Sequence, residues 1–249
     1  MTTQKIYFAS DQHFGAPTPE KSKIREEKFV HWLNVVKKDA DVIFLLGDLF
    51  DFWFEYKTVV PKGFIRVLGK LAELRDSGIQ IHFFVGNHDL WMNDYFEKEL
   101  NIPVYHQPKE FTFNNKTFLI GHGDGLGPGD HGYKRMKKVF TNPICKWFFR
   151  WLHPDLGVGL AQHLSVKNKL ISGDEDVVFL GEENEWLIQY SKEILETKHY
   201  NYFVFGHRHL PMTLKIGENS EYVNLGDWIS YFTYGLFDGD SMKVVPFEE

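Results

Sequence analysis

Short, almost wholly apolar runs punctuate this chain, and several end in one grammar. Val42-Ile43-Phe44-Leu45-Leu46 leads into Gly47-Asp48, and Phe83-Phe84-Val85 into Gly86-Asn87-His88-Asp89. Phe118-Leu119-Ile120 leads into Gly121-His122-Gly123-Asp124, and Phe203-Val204-Phe205 into Gly206-His207-Arg208-His209. A fifth run, Ile6-Tyr7-Phe8, ends in Ala9-Ser10-Asp11-Gln12-His13, with small residues where the others have glycine. Runs without polar alternation predict strands buried on both faces. Between them, apolar residues recur at helical spacing. Phe29, Trp32, Leu33 and Val36 form one such stripe; Phe64, Val67, Leu68, Leu71 and Leu74 form the next, with Gly78 as a plausible residue past its end. A short helix is expected near Trp91–Lys98. This alternation argues for parallel strands with helices packed on them.

After Pro103 the texture changes. Glu110–Phe113 and Lys116–Ile120 flank Asn114-Asn115, a hairpin signal, and Met212–Ile216 with Glu221–Asn224 read as a second hairpin. A helix is expected near Glu182–Glu196, and two short strands near Tyr231–Phe237 and Met242–Val245. The expected fold class is α/β: two sheets face to face with helices outside, in a single domain over residues 1–249. From about 129 to 172 no strand pattern is present. That stretch holds Trp147, Phe148, Phe149 and Trp151 among Lys134, Arg135, Lys137, Lys138, Lys146, Arg150, Lys167 and Lys169. It is expected to be an inserted helical cap, its helices kept short by Pro143 and Pro154. The aromatic cluster is either the cap's own core or a surface for a ligand that is part apolar and part anionic.

In open α/β sheets, ligands sit outside the carboxyl ends of the strands. Five strand ends would gather Asp11, His13, Asp48, Asn87, His122, His207 and His209 around one point. Oxygen and imidazole donors without thiolates suit borderline-hard divalent ions. A carboxylate shared by two ions holds them ~3.5–4 Å apart, and Asp48 is the best placed bridge. Asp11, His13, Asp48 and His209 would hold one ion; Asp48, Asn87, His122 and His207 would hold the other. Such a pair generates hydroxide near neutral pH and neutralises phosphoryl charge, so hydrolysis of phosphate esters or anhydrides is expected. His88 is then a candidate to stabilise the attacked phosphate or protonate the leaving oxygen. Asp51, Asp89 and Asp124 could orient ligand histidines.

The bulk numbers change little. Net charge is -6, so a global basic footprint for nucleic acid is absent. The single cysteine, Cys145, cannot pair within the chain, and no apolar stretch approaches a membrane span. A cytoplasmic location is the expectation.

Taken as a set, Asp11-x-His13, Gly47-Asp48-x-x-Asp51, Gly86-Asn87-His88-Asp89, Gly121-His122-Gly123-Asp124 and Gly206-His207-x-His209 resemble the signature of the calcineurin-like metallophosphoesterases. The resemblance implies a four-layer α/β-β/α sandwich around a dinuclear centre, often manganese, with iron or zinc as alternatives. Within that superfamily the chain looks most like the UDP-2,3-diacylglucosamine pyrophosphohydrolases of lipid A biosynthesis. The grounds are its length, the segment His122-Gly-Asp124-Gly-Leu126-x-x-x-Asp130-x-x-Tyr133-Lys134, and Asn224-Leu225-Gly226-Asp227-Trp228. That likeness implies cleavage to UMP and 2,3-diacylglucosamine 1-phosphate. It implies substrate contacts from Asp130, Tyr133, Lys134, Lys167 and Lys169, with acyl chains against Trp147 and Phe148. It further implies peripheral work at the inner face of a membrane, with no nucleic acid and no protein partner. One position departs: well-known members carry arginine after the asparagine ligand, where this chain has His88, the general superfamily choice. Another nucleotide or phosphodiester substrate remains the alternative, and a non-catalytic scaffold of the same fold a third.

Overall fold

The computed structural model describes residues 4–129, 131–161 and 178–248. Among them, eleven strands form two sheets. In the first, β1 (Ile6–Ala9), β2 (Val42–Leu45), β3 (Gln80–Phe84) and the two-residue β4 (Val104–Tyr105) run parallel. On the other side of β1 come β10 (Thr233–Phe237) and β11 (Met242–Pro246), both joined antiparallel. The second sheet has the order β5 (Lys109–Phe113), β6 (Lys116–Ile120), β7 (Tyr202–Phe205), β9 (Ser220–Leu225), β8 (Pro211–Gly217). Its three central strands, β6, β7 and β9, are parallel. Asn114 and Asn115 join β5 to β6 with φ of 46° and 62°, as the predicted two-residue hairpin requires.

Strand side chains alternate, so each apolar run feeds two cores. Ile6, Phe8, Val42 and Phe44 meet Phe118, Ile120, Val204 and Val223 between the sheets. From the same strands, Tyr7, Ala9, Ile43 and Leu45 face Phe29, Trp32 and Leu33 of α1 (Pro19–Val36) and Leu71 and Leu74 of α2 (Ile65–Asp76). Leu119, Phe203 and Phe205 face Leu187 and Ile188 of α7 (Trp186–Leu195). The four layers are therefore α/β-β/α. Each buried side chain of this size contributes roughly 1.5–3 kcal/mol, so the inter-sheet layer is what fixes the strand ends relative to each other.

Among the first three helices, starts are set by a local cap in one case and by distant carboxylates in two. Thr18 caps α1 by accepting from the Lys21 N–H, and Pro19 opens the helix. The start of α2 has no side-chain cap of its own; the Glu26 carboxylate of α1 accepts from the Arg66 and Val67 N–H groups, each at 3.1 Å. α3 (Tyr95–Leu100) begins later than the expected Trp91, because the Glu55 carboxylate takes the N–H groups of Asn93, Asp94 and Tyr95. Periodicity carries no trace of that long-range contact.

After β6 and its loop come three helices, α4 (His131–Phe140), α5 (Pro143–Arg150) and α6 (residues 154–161), with no strand between them among the described residues. Pro143 and Pro154 each open a helix, where the missing N–H costs nothing. The expected cap boundary at 172 falls outside the described residues. No helix among the described residues is long and apolar enough to cross a membrane.

Candidate metal centre

The strand ends of β1, β2, β3, β6 and β7 meet at one edge and bring all seven predicted ligands together. Asp11, His13, Asp48 and His122 are at most 3% exposed. His209 Nε2 lies 3.3 Å from both Asp11 Oδ1 and His13 Nε2. Asp48 Oδ2 is 3.5 Å from His13 Nε2 and 3.6 Å from His122 Nε2. His122 Nε2 is 3.1 Å from Asn87 Oδ1, and its ring centre is 5.2 Å from that of His207. Asp48 thus stands between the two groups, as expected for a shared carboxylate.

The backbone is bent to achieve this. Asp11, His13, Asp48, His207 and His209 all have left-handed φ, between 46° and 69°. Such conformations cost non-glycine residues of order 1–3 kcal/mol each and persist only where the surroundings impose them. Here each loop is tied to its neighbour. The Asp11 N–H donates to Gly47 O, the His13 N–H to Asp48 O, and the His207 N–H to Asp11 Oδ2 at 2.9 Å. The buried Arg25 of α1 donates to His13 O at 2.6 Å. Gly47 shows why the grammar needs glycine: a Cβ there would lie 2.7 Å from Gly86 N and from His122 Nδ1.

These donors fit a divalent cation. Asp11, His13 and His209 offer ligand atoms within 4.8 Å of one another, and so do Asp11, Asp48 and His122. Asp11 Oδ1 is buried with no hydrogen-bond donor, a position that a cation would satisfy. Burial alone would raise the Asp11 carboxyl, but His209 and His13 hold it well below the usual carboxylate range. Burial likewise opposes charge on His209, yet Asp11 and Asp227 push it up to about 10. His207 goes the other way, pushed down to about 4 by burial and by His122. His122 Nδ1 donates to Leu46 O at 2.6 Å, which leaves the Nε2 lone pair for an ion.

The surrounding carboxylates divide their work. Asp51 Oδ1 is 3.5 Å from His13 Nδ1 and from His88 Nδ1, and Asp51 O accepts from His88 Nδ1 at 3.0 Å. The His88 N–H donates to Asp48 Oδ1 at 2.8 Å, and its ring stands edge-on to His13. Asp89, expected to orient a histidine, instead accepts from the Gly86 and Leu49 N–H groups at 2.6 and 3.0 Å. It locks two loops; burial, together with nearby Asp48, pushes its carboxyl up to about 7. Asp124 pairs with Lys137 at 2.5 Å and accepts from the Tyr133 hydroxyl. Asp227 was not among the predicted site residues, yet its Oδ2 lies 3.2 Å from His209 Nδ1. Its signal was present: Tyr222-Val223-Asn224-Leu225 ends in Gly226-Asp227, the same grammar as the other strands.

The other predicted contacts lie further out. Tyr133 has its ring 6.4 Å from His207, and Lys134 Nζ donates to Gly127 O. The aromatic cluster of α5 splits. Phe149 turns inward onto Phe54 and Trp91, with ring centres 4.8 and 4.5 Å away, while Trp147, Phe148 and Trp151 face outward. Asp130, Lys167 and Lys169 lie outside the described residues.

Comparison with known proteins identifies the family. The calcineurin-like phosphoesterase family matches residues 4–211. The UDP-2,3-diacylglucosamine hydrolase of Porphyromonas gingivalis is 37% identical to this chain, with 98% of each chain covered. Its counterpart from Actinobacillus succinogenes is 25% identical, covering 90% of this chain and 92% of its own. Among solved structures, a phosphoesterase from E. coli aligns over 98% of this chain and 93% of its own at 17% identity, with a TM-score of 0.48. By the family match and the extent of the Porphyromonas relationship, the chain belongs to the calcineurin-like phosphoesterases.

Proposed function

We propose that this protein hydrolyses the pyrophosphate bond of UDP-2,3-diacylglucosamine, releasing UMP and 2,3-diacylglucosamine 1-phosphate. One observation carries the substrate: a relative of that name shares 37% identity over 98% of both chains, so the helical stretch is included in the match. The chemistry is that of a metal-dependent hydrolase. Two divalent ions, manganese first among candidates, would be held by Asp11, His13, Asp48 and His209, and by Asp48, Asn87, His122 and His207. When bound, such ions activate water and neutralise charge on the phosphoryl group.

The chain's own residues supply the rest. Water provides the new P–O bond, and the bridging oxygen leaves with the other phosphate. His88 is the group for that oxygen or for the attacked phosphate. Its Nδ1 donates to Asp51 O, which fixes the orientation of the ring. Asp51 and Asp227 keep His13 and His209 oriented, and Asp89 keeps the loops after β2 and β3 together. The buried, hydrogen-bonded loops need little reorganisation as the reaction proceeds, which is where most electrostatic catalysis originates.

In this proposal Tyr133 and Lys134, with Asp130, Lys167 and Lys169, contact the polar part of the substrate. Trp147 and Phe148 receive the acyl chains. Their outward exposure, beside Lys146 and Arg150, suits an apolar, anionic surface, so peripheral contact with the cytoplasmic face of the inner membrane is part of the proposal. The test is incubation with manganese and UDP-2,3-diacylglucosamine, following UMP and 2,3-diacylglucosamine 1-phosphate by mass spectrometry, with a chelator control. Chelator-sensitive release of both products is expected. Hydrolysis of a generic phosphodiester without release of UMP would keep the hydrolase and reject the lipid substrate.

A further inference from the structure

Arg208 lies between two proposed ligands, His207 and His209, yet its side chain turns to α7. Nε donates to Glu185 Oε2 at 2.9 Å, and Nη2 donates to Glu185 Oε1 at 3.0 Å. Nη2 also donates to Val178 O at 2.8 Å. Glu185 is 2% exposed. It occupies the position before α7, where a carboxylate would ordinarily cap the helix, but makes no such bond. Its Oε1 accepts instead from the Leu180 N–H at 3.1 Å. Glu185 therefore joins three things: the returning segment after residue 177, the start of α7, and the turn that carries two histidines.

A buried ion pair is a poor source of net stability, because desolvating both charges offsets their attraction. A bidentate arginine–carboxylate pair does supply fixed geometry. The turn has need of it. His207 and His209 are both left-handed, and the Arg208 N–H closes a tight bond to Gly206 O at 2.8 Å.

We propose that Glu185 is a positioning residue for metal binding: paired with Arg208, it holds the His207–His209 turn. This rests on the assignment of His207 and His209 as ligands. Glu185→Gln should weaken manganese binding about 10–100-fold, the range for partners that orient metal ligands. It should also alter the visible absorption of the cobalt(II)-loaded protein, and activity on bis(p-nitrophenyl) phosphate should recover substantially at saturating manganese. Arg208→Lys, which keeps charge but not the bidentate fork, should fall between wild type and Glu185→Gln.

Wild-type manganese affinity and an unchanged cobalt spectrum in Glu185→Gln, with only a lowered Tm, would overturn the proposal. Should Glu185→Gln fail to fold, wild-type affinity and cobalt spectrum in Arg208→Lys would overturn it equally. His209→Ala separates the two levels: unaltered metal binding in that variant would reject the ligand assignment itself.

Discussion

At the strand ends, Asp11 and His13 are fully buried and every loop is hydrogen-bonded to the next; in α5, thirty residues beyond β6 or less, Trp147 is 54% and Phe148 64% exposed. α4 and α5 contain no buried residue at all. The first region spends backbone strain and buried charge to hold a few atoms still. The second holds to the body through a handful of contacts, among them Trp91 Nε1 to Phe140 O, Phe149 on Phe54 and Trp91, and Lys137 on Asp124. Chemistry on a phosphate needs fixed donors, whatever the ester carries. Under the proposed function, the exposed aromatic face of α5 meets the apolar part of the substrate and takes no part in the chemistry. The two regions therefore fail differently when altered, and that difference can be measured.

The largest expected effect is at the shared carboxylate. Asp48→Ala should cost roughly a thousandfold or more in kcat on any substrate, since it removes a group facing both His13 and His122. Elemental analysis should show metal loss alongside. Near-normal turnover at matched metal loading would break the assigned geometry. Next, His88→Ala should lower kcat about a hundredfold while metal content stays at the wild-type level, the range for loss of a general acid or phosphate contact. Loss of an ion in that variant would make His88 a ligand instead.

In the cap the pattern should invert. Trp147→Ala with Phe148→Ala should raise KM for the diacyl substrate about tenfold, leave bis(p-nitrophenyl) phosphate unaffected, and shift Tm little, because surface substitutions stay near ±0.5 kcal/mol. Equal losses on both substrates would show the aromatic face to be structural.

The smallest effect concerns the frame beneath the loops. His82 on β3 is pushed down to about 4 by burial, with Lys109 and Arg75 adding to it. The unfolded chain therefore takes up the proton first as pH falls. The stability carried by neutral His82 is complete above pH 6.5 and is lost as pH falls toward about 4. His82→Phe should flatten Tm over that window by about 2–4 °C for each kcal/mol involved. An unchanged slope would place the acid sensitivity elsewhere.

The α/β class, the two hairpins and all seven convergent side chains were legible in the chain, because apolar runs and the glycine after them are local signals. Asp227 carries the same glycine–aspartate signal at Gly226-Asp227, but the run before it is interrupted by the polar Asn224. β4 was not legible, being only two residues long. Nor was the late start of α3, since Glu55 acts across forty residues or slightly fewer.

What the sequence determined by itself is thus a list of donors at strand ends and the sheets that bring them to one edge; unbroken apolar runs and the residues that end them suffice for that. Tertiary structure alone decided how each is held. It set the left-handed φ of five donors, the role of Asp89 as a lock on two loops rather than a histidine partner, the inward Phe149 against the outward Trp147 and Phe148, and the Glu185–Arg208 pair. Each depends on groups far apart in the chain meeting where water is excluded. There the partner of a polar atom is chosen by geometry, and no local pattern encodes it.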